Sequence, residues 1–234
     1  MKNLQKYLST CLLATAALLG GASPAWAQVL LGTASGFSVL GGTAVTCTAG
    51  SVIGEVGISP GITASFTNTG CTIAGGTPPA NNAAAASARA DFLNAYAAIR
   101  FQSCTQMPGD LAAQNLAPGV YCVDAVAKTG TLTLTGPTDG VWIFLVNGAL
   151  TGTNFSVVMP GGQGCNNNVF WWTAQAATLT DSVFLGSIHT GTSITVTRGS
   201  LDGKALAKGA VTLTGTSVCG GAPTDGVPTD DDDR

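Results

Sequence analysis

Hydrophobic and polar residues alternate in short segments separated by glycine along most of the chain, which predicts many short β-strands. Thr131-Leu132-Thr133-Leu134-Thr135 alternates strictly, as a half-buried strand does. Val141–Val146 and Val169–Trp172 are continuous apolar runs that also predict strands. Shorter β-prone pieces fill residues 30–75. The pattern therefore predicts a mainly β protein.

One segment has a different period. Pro78-Pro79 marks a break, and Asn81-Asn82 is a plausible helix start. The following residues are rich in alanine, and their apolar positions recur at helical spacing, at Ala85, Ala88, Phe92, Tyr96 and Ile99. The sequence thus predicts one long helix at about residues 83–103.

A threonine motif repeats in the last third of the chain. Thr178-Leu179-Thr180, Thr195-Val196-Thr197 and Thr212-Leu213-Thr214 follow one another at intervals of 17 residues. A short fixed period made of strands and turns is typical of a solenoid, whose coils stack and share one core. Because side chains alternate along a strand, the central Leu or Val points inward and both threonines point outward.

Such threonines form a regular array. Two outward residues on one strand are about 6.7 Å apart, and stacked strands are ~4.7–4.9 Å apart. The β-branched side chain of Thr is stiff, so the array loses little entropy on meeting a solid, whereas a compact ligand would need a concave pocket. Threonine is also simply a common residue of exposed strands. From the pattern alone, a binding surface and ordinary strand composition both remain open.

The N-terminus predicts export. Lys2 and Lys6 precede the apolar run Leu12–Leu19, which is too short to span a bilayer, and Ala25-Trp26-Ala27 resembles a cleavage site. We therefore expect a signal peptide at 1–27 and a secreted, extracellular product. Residues 28–220 are expected to form a single domain, and 221–234 an acidic tail whose Asp230–Asp233 run is solvated.

The cysteines fit an oxidising compartment. Of seven, Cys11 falls in the predicted signal peptide, which leaves an even number in the exported chain: Cys47, Cys71, Cys104, Cys122, Cys165 and Cys219. Sequential pairing closes the shortest loops and is our preferred arrangement, although six cysteines allow ~15 pairings. Metal-binding spacings of Cys and His are missing from the sequence, so we expect neither metal nor cofactor.

Charge and composition narrow the possible partners. Only 9% of the residues are charged and the net charge is −3, so the sequence has neither the basic footprint of a nucleic-acid binder nor a polybasic stripe for membranes. We expect a monomer whose partner is recognised by uncharged hydroxyl and methyl groups.

The sequence offers little for catalysis. His189 is the one histidine and is expected to be an ordinary surface residue. Glu55 is the one glutamate, and the aspartates are scattered, whereas a polysaccharide-cleaving solenoid would need clustered carboxylates. Trp142, Trp171 and Trp172 could stack on sugars, but we favour packing in the core or against the helix. The protein is therefore expected not to be an enzyme.

Several segments together resemble one family, the bacterial and fungal ice-binding proteins of the DUF3494 type. The resemblance covers about residues 31–218, and its order and spacing are more specific than any one segment. The segments that resemble the family are Leu31–Leu40, Gly54–Gly61, Leu116–Tyr121, Gly140–Phe144, Val169–Trp171, Gly203–Ala207 and Gly209–Leu213.

This resemblance implies a right-handed parallel β-solenoid of triangular cross-section with one long α-helix packed alongside. It also implies that one flat face binds the surface of ice crystals, with no cofactor and no catalysis. Some members carry a T-A/G-x-T/N motif there, which Thr43–Thr46, Thr135–Thr138 and Thr151–Asn154 match and Thr190–Ser193 and Thr214–Ser217 nearly match.

The expected ice-binding surface therefore combines the repeat with these motifs. It comprises Thr178, Thr180, Thr195, Thr197, Thr212, Thr214, Thr135, Thr138, Thr151, Thr153 and Asn154. Which face of the solenoid carries it is left open. The alternative is a secreted structural or adhesive β-solenoid that shares the fold without strong ice affinity.

Overall fold

The computed structural model describes residues 29–60, 65–76, 82–107, 110–125, 127–162 and 164–220. The predicted signal peptide at 1–27 and the predicted acidic tail at 221–234 lie outside these residues.

The described chain forms parallel strands that wind into about eight coils. The strands are β1 (Phe37–Gly41), β2 (Val45–Thr48), β3 (Ser51–Ile53), β4 (Glu55–Ile58), β5 (Phe66–Thr69), β6 (Thr72–Ala74), β7 (Thr105–Gln106), β8 (Asn115–Leu116), β9 (Gly119–Val123), β10 (Ala127–Leu134), β11 (Trp142–Val146), β12 (Leu150–Val158), β13 (Val169–Thr173), β14 (Ala177–Leu185), β15 (Ser187–Thr190), β16 (Ile194–Asp202), β17 (Ala205–Ala207) and β18 (Val211–Cys219). The prediction of a mainly β solenoid is confirmed.

Each coil has three sides because its long strand turns at one residue of positive φ. The turning residues are Asp181 (φ 51°) in β14, Arg198 (φ 57°) in β16 and Gly215 (φ 58°) in β18. We call the sheet of β1, β4, β7, β9, β11, β13, β15 and β17 side A. Side B comprises β2, β5 and the halves of the long strands before the turn; side C comprises β3, β6, β8 and the halves after it.

The N-terminal strands stack onto the C-terminal coil. On side A, β1 lies between β4 and β17, and on side B, β2 lies between β5 and β18. The opposite end of the stack is formed by β7 and β8. The chain thus begins near one end, crosses to the other through the helix, and winds back until its last coil meets its first.

The interior of the coils is apolar. Leu179, Val196 and Leu213 are 0% exposed and point inward, as the repeat predicted. On side A an internal row of rings runs through Tyr121, Phe144 and Trp171, in which the Phe144 and Trp171 centroids are 3.9 Å apart. Trp142 and Trp171 are fully buried and Trp172 packs on the helix, so the favoured core and helix roles of these tryptophans are confirmed.

The helix α1 (Ala83–Ile99) lies along the outer surface of side A. Its start is as predicted: the Asn82 side chain accepts a hydrogen bond from the Ala85 amide (2.7 Å), an N-cap. Its predicted apolar face is buried against Leu40, Leu145 and Leu206. The predicted end near Ser103 is wrong, because the chain leaves the helix after Ile99 and Cys104 is tied by a disulfide to Cys122 on side A. Among the described residues no helix is long and apolar enough to cross a membrane.

His189 is not the surface residue that was expected. It lies on the outer surface of β15, but α1 covers that surface, so the side chain is 0% exposed. Its ring is 6.1 Å from Phe92 of the helix and 6.0 Å from Phe170, centroid to centroid. The expectation failed because side A is buried on both surfaces, which a single strand does not reveal.

Three disulfides join consecutive cysteines, the arrangement preferred from the sequence. Cys47 pairs with Cys71, Cys104 with Cys122, and Cys165 with Cys219. The first links β2 to the neighbouring end coil, and the third ties the loop after β12 to the last residue of β18. Together they fasten both ends of the stack and its longest loop.

Candidate functional site

Side B displays two parallel rows of threonines. Strand pairing places one residue of each coil directly beside its equivalent in the next coil. The first row is Thr67, Thr46, Thr212, Thr195, Thr178 and Thr151; the second is Thr69, Thr48, Thr214, Thr197, Thr180 and Thr153. We call these twelve residues the threonine array. Six successive coils thus present the same two side chains in register.

The array is rigid because of what lies beneath it. Each outward threonine has inward neighbours that are buried, such as Ile194 and Val196 on either side of Thr195. Neighbouring coils are joined by a parallel β-ladder, which fixes their separation at ~4.8 Å. The β-branched threonine has few rotamers. The methyl and hydroxyl groups are consequently held at a two-dimensional spacing before anything binds.

The array offers its hydroxyl groups to the solvent. Among the described residues, none of the twelve hydroxyls is hydrogen-bonded to another group of the protein. Threonines that do make such bonds lie elsewhere: Thr173 Oγ1 donates to the Gln175 carbonyl and Thr216 Oγ1 to the Gly199 carbonyl. The array hydroxyls are therefore available to bind water.

Charge is confined to the rim of this surface. Asp181 and Arg198, the corner residues after Thr180 and Thr197, form a two-pronged ion pair across neighbouring coils, with 2.7 Å between Arg198 Nη2 and Asp181 Oδ2. The pairing lowers the pKa of the Asp181 carboxyl and raises the pKa of Arg198. The flat part of side B is left uncharged.

The structure brings together most of the residues expected from the sequence and separates others. Thr178, Thr180, Thr195, Thr197, Thr212, Thr214, Thr151 and Thr153 all belong to the array. Asn154 is exposed at the B–C corner of β12, with φ of 49°. Thr135 and Thr138 lie beyond the end of β10, in the connection to β11 on side A, and are not part of side B.

Four array residues were not included in the expected surface. Thr46 and Thr48 of β2 and Thr67 and Thr69 of β5 extend both rows beyond Thr212 and Thr214. Each pair has the same T-x-T pattern as the repeat, and this was the signal available in the sequence. The 17-residue interval does not reach them, because β2 meets β18 through the closure of the stack.

The near matches to the T-G-x-T motif fall at corners. In Thr190–Ser193 the first threonine is 0% exposed on side A. In Thr214–Ser217 the residues turn from side B to side C, and Thr216 is buried. The two-residue T-x-T spacing, and not the longer motif, therefore defines the surface.

The described residues contain no cluster of three or more His, Cys, Asp or Glu side chains that could hold a metal ion. The largest cleft, of about 970 Å³, is on side A beside the helix start and does not involve the array. Side B itself is an extended surface formed by strands.

Fold and surface define the class of this protein: a parallel β-solenoid with a helix along one side and a flat, uncharged threonine face on another. The family model described as Ice-binding-like matches residues 39–219, and the chain belongs to that family.

Sequence relatives agree with this assignment. An ice-binding protein of Nostoc sp. (strain HG1) is 40% identical over 197 residues, which cover 79% of this chain and 71% of the relative. One from Flavobacterium frigoris (strain PS1) is 30% identical over 204 residues, covering 79% and 74% respectively.

Solved structures share the fold. An ice-binding protein from an Antarctic biological consortium superposes with a TM-score of 0.69 at 28% identity, covering 81% of this chain and 90% of that one. A glycosylated ice-binding protein from an Arctic yeast has a TM-score of 0.76 at 24% identity, covering 85% and 96%, and supports the fold alone.

Proposed function

We propose that this protein binds ice through the threonine array on side B and thereby restrains the growth or recrystallisation of ice. Membership of the family and the names of its relatives support ice binding. The observation that supports the array as the surface is the register of its two rows over six coils. The alternative of an adhesive solenoid without ice affinity is not favoured by these relatives.

The mechanism follows from the spacing and chemistry of the array. Methyl groups at regular intervals leave water between the rows with few competing partners, while the hydroxyls anchor that water by hydrogen bonds. Water ordered in this way can join a crystal lattice. Each contact is weak, but a rigid array makes many contacts at once and loses little conformational entropy.

We further infer that the protein acts outside the cell, as a monomer and without cofactor or covalent chemistry. Three disulfides suit an oxidising compartment, and the sequence begins with the features of a signal peptide. Low charge and the lack of a basic patch argue against nucleic-acid or membrane partners.

Substitution at the centre of the array tests the proposal. Thr195→Tyr should lower ice-recrystallisation inhibition several-fold, because the larger ring lifts the crystal away from both rows. Stability should change by less than about 0.5 kcal/mol, since the side chain points to solvent. The measurement is recrystallisation inhibition at micromolar protein, together with thermal unfolding.

Two matched variants locate the surface. Ser217→Tyr changes an exposed residue on side C and should leave activity intact. Thr138→Tyr changes a residue of the loop after β10 and should do the same. If Thr138→Tyr abolishes activity while Thr195→Tyr does not, the array is the wrong surface; if the unsubstituted protein neither shapes ice nor slows recrystallisation, ice binding itself is refuted.

A further inference from the structure

A second feature lies on side A, away from the array. A cleft of about 970 Å³ opens between the start of α1 and the outer surface of the sheet. Leu31, Phe37 and Phe170 give it apolar walls, and Ser187 and Lys204 also line it. The ice-binding proposal assigns no role to this cleft.

Lys204 is a buried cation with no acidic partner nearby. Its side chain is only 8% exposed, and its ammonium donates one hydrogen bond, to the Ser35 carbonyl at 2.6 Å. Among the described residues no carboxylate lies within 4.0 Å of it, including Glu55, which also lines the cleft. Burial lowers the pKa of Lys204 to about 8. A buried charge without a counter-charge is costly, so this site favours an anion.

The start of the helix adds to the positive potential of the cleft. Ala83 and Ala84, the first two residues of α1, line it. Their amides belong to the first turn, which has no partner within the helix and carries the positive end of the helix dipole. Asn82 accepts the amide of Ala85 and so does not satisfy these two.

The described chain ends beside Lys204. The Gly220 amide donates to Ser38 Oγ at 3.2 Å, and a Cβ on Gly220 would be 2.7 Å from Lys204 Cγ. Residues 221–234 follow, with five aspartates and one arginine. Their first residues include Pro223-Thr224-Asp225-Gly226, a composition that favours a tight turn.

We propose that the acidic segment 221–234 turns back over this cleft and places the Asp230–Asp233 run against the Lys204 ammonium and the first turn of α1. Charge complementarity and the position of Gly220 support this occupant. A turn at Pro223–Gly226 leaves only Val227, Pro228 and Thr229 before the first aspartate of the run, so the return path is short. The segment then supplies the counter-charge that Lys204 lacks.

Chemical acetylation of Lys204 tests this docking. Three forms that begin at Gln28 are compared at pH 8: the full chain, a chain ending at Gly220, and the full chain with all four aspartates of the run changed to asparagine. Acetylation of Lys204, followed by mass spectrometry of peptides, should be several-fold slower in the full chain than in the other two. Added salt should reduce the difference, because it screens the ion pair. Lys208, at the far end of β17, is the internal control and should react equally in all three.

Each other outcome overturns the proposal. Equal rates in all three forms would mean that the segment does not dock. Slow acetylation that survives the asparagine changes would mean that it covers Lys204 without pairing with it. Protection that grows with protein concentration would assign the acidic segment of a second copy to the cleft. Recrystallisation inhibition should be the same in all three forms, so this test does not depend on the function of side B.

A double-mutant cycle gives a second measurement. Lys204→Met and removal of residues 221–234 are combined, and the thermal midpoint is recorded for all four chains. The loss caused by truncation should largely vanish in the Lys204→Met background, since the segment then has no charge to pair with. Losses that simply add would contradict the pairing even if both variants are less stable.

Discussion

At the scale of the residue, His189 is held neutral by its surroundings. Both ring nitrogens are buried and, among the described residues, neither has a hydrogen-bond partner. Burial, together with the positive charge of Lys204, lowers the pKa of His189 from 6.5 to about 3. An imidazolium here would lie between the rings of Phe92 and Phe170 without a counter-charge. The folded state therefore binds the neutral form.

This predicts a loss of stability in mild acid. Between pH 6.5 and pH 3 the unfolded chain binds a proton at His189 that the folded chain does not, so the free energy of unfolding falls as pH falls. The slope is up to about 1.4 kcal/mol per pH unit, which gives a loss of about 2–3 kcal/mol by pH 4.5. Urea unfolding at pH 7.0, 5.5 and 4.5 measures it.

His189→Leu is the matched variant. It fills a similar apolar space but cannot take up a proton, so its stability should change far less between pH 7.0 and 4.5. The lowered pKa values of Asp91 and Asp181 affect stability only at lower pH and do not confuse the comparison. An equal loss in both proteins would show that other groups cause the acid sensitivity.

At the scale of the element, α1 is held to side A by both apolar and polar contacts. Phe92 is 0% exposed at the centre of its buried face. Arg89 donates to the carbonyls of Ala207 (2.6 Å) and Lys208 (2.9 Å), and the Tyr96 hydroxyl donates to the Thr173 carbonyl (2.9 Å). These bonds reach the turns that lead from side A to side B. The helix therefore braces the coils from behind the array.

Phe92→Ala should test this brace. Removing a fully buried ring is expected to cost about 3–5 kcal/mol, through lost burial and the cavity left behind. Leu93→Ala, at the neighbouring and 36% exposed position, should cost much less. Well below the unfolding temperature, Phe92→Ala should retain recrystallisation inhibition, because the array is on another side. Equal costs for the two variants would mean that the helix is not packed as described.

The helix also shows what local sequence can and cannot determine. Its start was predictable because Asn82 and the apolar spacing after it are local signals. Its end was not, because Cys104 is bound to Cys122, a contact across 18 residues. The burial of His189 escaped prediction for a similar reason: it depends on α1, which is distant in sequence. Local patterns therefore predicted the elements better than their ends and their covered surfaces.

At the scale of the whole molecule, the repeat predicted part of the array. Thr178, Thr195 and Thr212 fall in register because the three coils of β14, β16 and β18 have no insertions. Thr151 is 27 residues before Thr178 yet pairs with it, because the long loop after β12 leaves the coil and returns. Thr46 and Thr67 join through closure of the stack, which no local spacing encodes. Periodicity thus found the centre of the surface and missed its end.

That end is fastened by a disulfide, which gives a prediction for activity as well as stability. Cys47–Cys71 ties β2 to the coil that carries Thr67 and Thr69. Replacing both cysteines by alanine should lower stability by about 2–4 kcal/mol and also reduce recrystallisation inhibition, since the end coil can then separate from the array.

The comparison is with Cys104–Cys122, at the opposite end and on side A. It closes a loop of similar length, 18 against 24 residues, so the two losses of stability should be alike. Its removal should leave activity unchanged at temperatures where the protein is folded. If removal of either disulfide reduces activity equally, the end coil does not contribute to ice binding. A protein that melts at the same temperature with and without reductant would contradict the disulfides themselves.

The course of α1 from one end of the stack to the other sets a limit on the size of the ice-binding face. After β6 the chain must travel past every coil before β7 can begin, and the 17-residue helix makes most of that journey. Each additional coil would lengthen the stack by ~4.8 Å, which a helix covers with about three residues. The helix therefore acts as a ruler. A larger array requires a longer helix, so the number of threonine pairs and the length of a segment that never touches ice must change together.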